Sequence, residues 1–255
     1  GTLDPLATGV LVVCVGQATR LADYVQAMGK SYSSRFRLGA TSTSDDADGE
    51  VTETPNATPP TREQIDAALA RFVGVIEQVP PAVSALKLAG QRAHDLVRKG
   101  EEVKLAARPV RIDAIRVTAY EWPYLNVEVD CGKGTYIRSI ARDLGAALGV
   151  GGLVQTLRRT RVGPFTAEQG VGLDAEPVSL SLLPMRAALS GMHQVKLSVD
   201  ETRRFRQGQR LSLTEQPQSA ELEGRELALL DEAGGLVGIG EVERGQLKPA
   251  LVIPQ

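Results

Sequence analysis

The chain has 255 residues, 42% of them hydrophobic and 24% charged, with a net charge of −2, two cysteines and two histidines. That is the composition of a folded protein of one large or two ordinary domains, and it excludes fibrous and disordered classes. No apolar run reaches the roughly 18–20 residues of a membrane span, no secretory pattern is visible, and Cys14, Cys131, His94 and His193 show no zinc-like spacing.

Taken in order, GVLVVCVG (9–16) is an apolar, β-branched run that predicts a buried strand. ATRLADYVQAMG (18–29) has helical spacing with a stop at Gly29, and KSYSSRFRLG (30–39) alternates like a strand. TSTSDDADGEVTET reads as a turn-rich loop. Thr61 precedes a helix, with Gln64 as its capping partner. EQVPPAVSALKLAGQRAHDLVRKGEEV opens on Pro80-Pro81 and reads as an extended excursion from a core. RIDAIRVTAYEW and YLNVEVDCGKG are two strands split near Pro123, and TYIRSIARDLGAALG is an amphipathic helix. GGLVQTLRRTRVGPF predicts a short helix feeding a strand. From 193 onward, short alternating stretches separated by Gly and Pro predict a small β-barrel or sandwich, with a domain boundary near 192.

The near-neutral net charge argues against nucleic acid, but its distribution does not. Residues 80–116 carry eight Lys/Arg against four Asp/Glu, and residues 133–163 carry six against Asp143 alone. Such segments are surfaces for an anionic partner or simply solvated faces. Both cysteines sit inside apolar runs and read as small buried hydrophobes, which suits a reducing, cytoplasmic setting.

Three stretches carry chemistry. In GTLDPLATG, Asp4 lies between Leu3 and Pro5, whose ring fixes the backbone, with glycines on either side of the loop. In CGKGTYIRSIARDLG, Thr135 is placed to N-cap a helix, which sets Tyr136 and Arg138 at a helix start, where N–H groups favour anions. In LRRTR (157–161), three arginines fall within four residues, a residue type suited to phosphate forks and base stacking. The bland alternatives are a turn aspartate, an ordinary strand-to-helix turn and a solvated strand end.

At these residues the sequence resembles the TruB family of tRNA pseudouridine synthases. GTLDPLATGVLVVCVGQATRLADY resembles its catalytic motif, KSYSSRFRLGATSTSDDADGE its K-x-Y segment and acidic loop, VPPAVSALKLAGQRAHDLVRKG its RNA-clamping thumb, and CGKGTYIRSIARDLGAALG and LRRTRVGPF its last core motifs. FRQGQRL and LVGIGEVERGQLKPALVI resemble its small PUA-like C-terminal domain. Val83 stands where the family often has Tyr, His94 where it usually has an aromatic, and Ser42 and Ser44 where it has threonines.

The resemblance implies an α+β fold: a mixed, mainly antiparallel sheet flanked by helices and loops, plus a small all-β PUA-like domain. Residues 1–192 would form the catalytic domain, with a thumb-like insertion at about 79–107, and 193–255 the RNA-binding domain. About forty residues that precede the catalytic motif in the family would be absent. Asp4 would be the catalytic carboxylate and Arg138 its partner, with Tyr32 stacking on the flipped base and Tyr136 and Leu157 packing around it. Lys87, Arg92, Arg98, Lys133, Arg158, Arg159 and Arg161 would meet RNA. The implied reaction isomerises uridine to pseudouridine in the T loop of tRNA (position 55 in tRNA numbering), on the T-arm stem-loop, by a monomer without cofactor, metal, membrane or obligate protein partner. The alternatives are a guide-RNA-dependent enzyme of the dyskerin type, a non-catalytic tRNA-binding or folding module, and an Asp-dependent hydrolase, which would want a second carboxylate.

Overall fold

Two periodicities decide where the chain folds back on itself: period two along 30–38 and 124–131, and the 3.6-residue spacing along 137–147. A computed structural model describes residues 2–84, 87–88, 91–92, 105–175, 182–212 and 221–254, with backbone only at 87–88 and 91–92. The chain divides into two units: Gly1–Val12 with Ala27–Gly170, and Val13–Gln26 with Val171–Gln255. The second unit thus begins earlier than the expected boundary near 192, and a segment from near the start of the chain belongs to it.

The strands of the first unit are β1 (Thr8–Gly9), β2 (Lys30–Leu38), β3 (Ala40–Ser42), β4 (Val51–Glu53), β5 (Gly74–Gln78), β6 (Lys87–Leu88), β7 (Gln91–Arg92), β8 (Arg108–Glu121), β9 (Tyr124–Cys131), β10 (Gly152–Val162) and β11 (Phe165–Thr166). Its helices are α1 (Arg62–Ala70) and α2 (Ile137–Ala147). The main sheet runs β1-β10-β2-β9-β8-β5, with β11 on β10. Only the β1–β10 pair in it is parallel. Phe36, Leu38, Leu125, Val127, Val129 and Cys131 turn inward from this sheet, while Ser33, Arg35 and Glu128 face solvent.

The buried face is covered by both helices. Thr61 and Gln64 form the expected capping box of α1, which buries Ile65 and Leu69. Helix α2 buries Ile137, Ile140, Ala141 and Leu144, one stripe at helical spacing. Each such large side chain contributes about 1.5–3 kcal/mol when fully buried. A Cβ on Gly145 would lie 2.1 Å from the Gly151 carbonyl carbon, and one on Gly152 2.3 Å from the Ala141 oxygen, so backbone meets backbone where α2 seats on β10.

Three local expectations give way here. The run 9–16 is not a buried strand: pairing stops after Gly9, and Leu11, Val13 and Val15 are 50%, 71% and 60% exposed. The chain leaves the sheet at this point and crosses to the second unit at Val13. Residues 152–157 are strand rather than helix, because antiparallel pairing with β2 runs from Gly152 to Val162 and overrides local propensity. The N-cap of α2 is Tyr136, not Thr135, whose hydroxyl bonds the carbonyls of Arg111 and Gly132.

The second unit holds β12 (Gln194–Lys196), α3 (Val199–Arg206), β13 (Leu211–Ser212), β14 (Glu226–Leu230), β15 (Leu236–Glu243) and β16 (Gln246–Val252), with sheet order β12-β14-β15-β16-β13. These are the five alternating stretches expected from 193 onward. Helix α3 was not expected, although Ser198 and Glu201 form a capping box and Gly208 follows it. Leu21 and Leu189 pack with Leu230, Leu236 and Ile239, which is why 13–26 and 185–189 belong to this unit.

Candidate active site

The loop that carries Asp4 is short and pinned at both ends. Pro5 sits at the second position of a turn closed by the Ala7 amide donating to the Asp4 carbonyl at 2.9 Å. After it, the Val10 amide donates to the Arg159 carbonyl at 2.9 Å. Gly9 has φ +106°, and a Cβ there would lie 2.1 Å from the Arg159 oxygen, so only glycine fits.

Arg138, on the first turn of α2, is 4% exposed and meets two carboxylates. Its Nε lies 2.9 Å from Asp4 Oδ2, off the N–H direction, so the contact is an ion pair and not a well-aligned hydrogen bond. Its Nη1 lies 3.2 Å from Asp46 Oδ2 and donates to the Ser44 carbonyl at 2.9 Å. Asp46 is buried and accepts from the Ser44 hydroxyl and the Asp48 amide. The Asp4 side chain remains 32% exposed, the one member of the three with an open side. Removing one partner of a buried ion pair costs about 3–5 kcal/mol, so this cluster is a fixed part of the fold.

A second layer holds that cluster. The Gln78 amide, 1% exposed, accepts from the Tyr136 amide at 2.8 Å and donates to its carbonyl at 3.1 Å. This partner, and not an anion, occupies that N–H at the helix start. The Val79 carbonyl accepts from Ser139 Oγ and Arg142 Nη2, both at 2.8 Å. Arg142 Nη1 pairs with Asp45 at 2.8 Å. Burial pushes the Asp45 carboxyl above its ordinary range, and Arg142 pulls it back.

The remaining expected residues divide by face. Tyr32 and Leu157 pack in one cluster with Leu6 and Ala7 of the Asp4 loop. Burial raises the Tyr32 hydroxyl pKa above its ordinary value. The Tyr136 ring lies 5.1 Å from the Arg108 guanidinium, which also bonds the Gly134 carbonyl. Lys133 and Arg158 are exposed. Arg159, expected at an RNA surface, is 2% exposed and turns inward. Arg161 lies on the outer face of the sheet, bonded to Ser31 and Asp130. Lys87 and Arg92 lie on the antiparallel strand pair β6 and β7, described by backbone only, and Arg98 lies outside the described residues, as does His94.

Asp46, Gln78 and Arg142 were not singled out from sequence. For Asp46 the only signal was a carboxylate-rich loop; its contact with Arg138 joins positions more than ninety apart. Among the described residues no group of three or more His, Cys, Asp or Glu could hold a metal, and no helix is long and apolar enough to cross a membrane.

Comparison with known proteins finds three family descriptions along the chain. TruB family pseudouridylate synthase (N terminal domain) matches residues 1–137, tRNA pseudouridylate synthase B C-terminal domain matches 138–175, and pseudouridine synthase II TruB, C-terminal, matches 194–253. A tRNA pseudouridine synthase B of Mycobacterium avium is 49% identical over 218 residues, 83% of this chain and 71% of the relative. One of Thermobifida fusca is 44% identical over 247 residues, 92% of this chain and 84% of the relative. Among solved structures, a Cbf5–Nop10–Gar1 complex matches with TM-score 0.71 at 22% identity, covering 100% of this chain and 74% of that one, a likeness of fold.

Proposed function

The chain belongs to the TruB family of pseudouridylate synthases, and from that premise we propose that it isomerises uridine to pseudouridine in the T loop of tRNA, with Asp4 as the catalytic carboxylate. The observation that carries the assignment of Asp4 is its 2.9 Å pairing with the buried Arg138, together with its partly open side. A uridine stacked in a loop is out of reach, so the base is extruded into the site. Tyr32 supplies a stacking face worth about 1–3 kcal/mol, and Leu157 and Tyr136 pack around the base. The C1′–N1 bond breaks, the uracil turns, C1′ bonds to C5, the C5 proton leaves to solvent, and N1 takes up a proton in its place. Asp4 supplies the anionic oxygen for this sequence, and Arg138 and Asp46 hold that oxygen in place.

The substrate is recognised through loop shape and phosphates, with Lys133 and Arg158 exposed for those contacts, by a monomer that needs no protein partner. The test is tritium release from C5-labelled uridine in an isolated T-arm stem-loop, with no other RNA or protein present. Turnover comparable to whole tRNA is expected. Reaction only with whole tRNA, or only with an added guide RNA, contradicts the proposal. Binding weakens steeply with salt, because phosphate contacts release counterions.

A further inference from the structure

Arg159 is the residue whose place differs most from its expected one. Its main-chain carbonyl receives the Val10 amide, and Gly9 lies beside it in the parallel register of β1 and β10. Its guanidinium Nε donates to the Val10 carbonyl at 2.9 Å, and Nη1 reaches the Thr2 carbonyl at 3.4 Å. Thr2 and Val10 are the two ends of the loop that carries Asp4. Tyr32 lies directly across the β10–β2 register from Arg159; burial raises the tyrosine hydroxyl pKa, and the neighbouring guanidinium pulls it back. One side chain, 2% exposed, therefore spans both ends of the catalytic loop and lies beside the aromatic expected to stack on the base.

We infer that Arg159 is a positioning residue: it sets Asp4 and Tyr32 relative to each other and makes no contact with RNA. The inference rests on the reading of Asp4 as the catalytic group. A planar fork is the chemistry this task requires. It bonds separate carbonyls in fixed directions, whereas an ammonium is a point charge on a flexible stem. A displacement of about 1 Å at a reacting group costs on the order of 100-fold in rate.

The experiment compares wild type, R159M, R159K and D4N in single turnover at saturating enzyme on tRNA. Dissociation constants are measured in parallel over a salt series, below each variant's unfolding temperature. R159M is expected to lose about 100-fold in rate and R159K about 10-fold. The tRNA Kd should stay within about 3-fold and its salt slope unchanged. A wild-type rate in both variants overturns the inference. So does a weakened Kd with a salt slope lower by about one, the mark of a lost phosphate contact. Failure of both variants to fold would show that Arg159 holds the fold and not the site, and also overturns it. If D4N turns over normally, the reading of Asp4 has failed; if D4N is inactive while R159M and R159K are unimpaired, only the role of Arg159 has failed.

Discussion

Ionic side chains lie on both sides of the main sheet of the first unit, and the two sets differ in what surrounds them. On the inner face Arg138 and Asp46 are nearly sealed from water, with Asp4 at the opening. On the outer face Arg116 pairs with Glu128 at 3.3 Å and with Asp130 at 2.9 Å, and Arg161 approaches Asp130 at 3.6 Å, all partly in solvent. The outer set lines a cleft of about 490 Å³ whose lining includes Tyr32 but neither Asp4, Arg138 nor Asp46. Distances alone do not separate the two networks. Burial does: a sealed charge has no water to fall back on, whereas an exposed pair contributes about 0–1 kcal/mol.

The sharpest way to break that contrast is at Asp46. D46N leaves a sealed arginine with one of its two carboxylates gone, and should lower the single-turnover rate about 100-fold and stability by about 3 kcal/mol. Rate and thermal unfolding measured together check it; a rate within a few-fold of wild type would show that Asp4 alone orients Arg138.

The neighbours Asp130 and Cys131 sharpen the contrast, because adjacent residues face opposite sides and titrate in opposite directions. A hydrogen bond from Ser31, ahead of the nearby arginines, holds the Asp130 carboxyl below its ordinary range, while burial pushes the Cys131 thiol up to about 11. A raised acid contributes stability that is present below its unfolded pKa and lost as pH rises through the folded one. Stability should therefore fall by up to about 3 kcal/mol between pH 9 and 11, and the slope should flatten in C131A. Denaturant titrations at pH 8.5, 9.5 and 10.5 decide it; equal slopes would place the titration elsewhere. The smallest effect is on the outer face, where D130A should cost about 1 kcal/mol or less and leave the rate within about 2-fold. A rate loss as large as that of D46N would mean the two faces are coupled.

The legible parts of this molecule were those fixed by local pattern. Alternation located β2, β9 and the strands of the second unit, and Thr61 with Gln64 located α1. The Asp4 and Arg138 motifs lay in plain view because proline and glycine punctuate them. What the sequence hid was set by distant partners. The apolar run after Gly9 reads as core, yet Leu11, Val13 and Val15 are exposed, because pairing ends where the chain changes units. The run after Gly152 reads as helix but pairs with β2. Among the clustered arginines no periodicity tells Arg159 from Arg158 and Arg161. Only the sheet register and the bulge between Arg159 and Arg161 send one inward and two outward.

The central claim is that the Asp4 carboxylate does the chemistry. Tritium release from C5-labelled uridine in tRNA, measured in single turnover for wild type and D4N with tRNA binding measured alongside, tests it most directly. Asn keeps the shape and lacks the anionic oxygen. The account predicts no detectable release from D4N with binding within about 3-fold, since the phosphate contacts that dominate affinity lie on other residues. Release from D4N at a rate near wild type would contradict it.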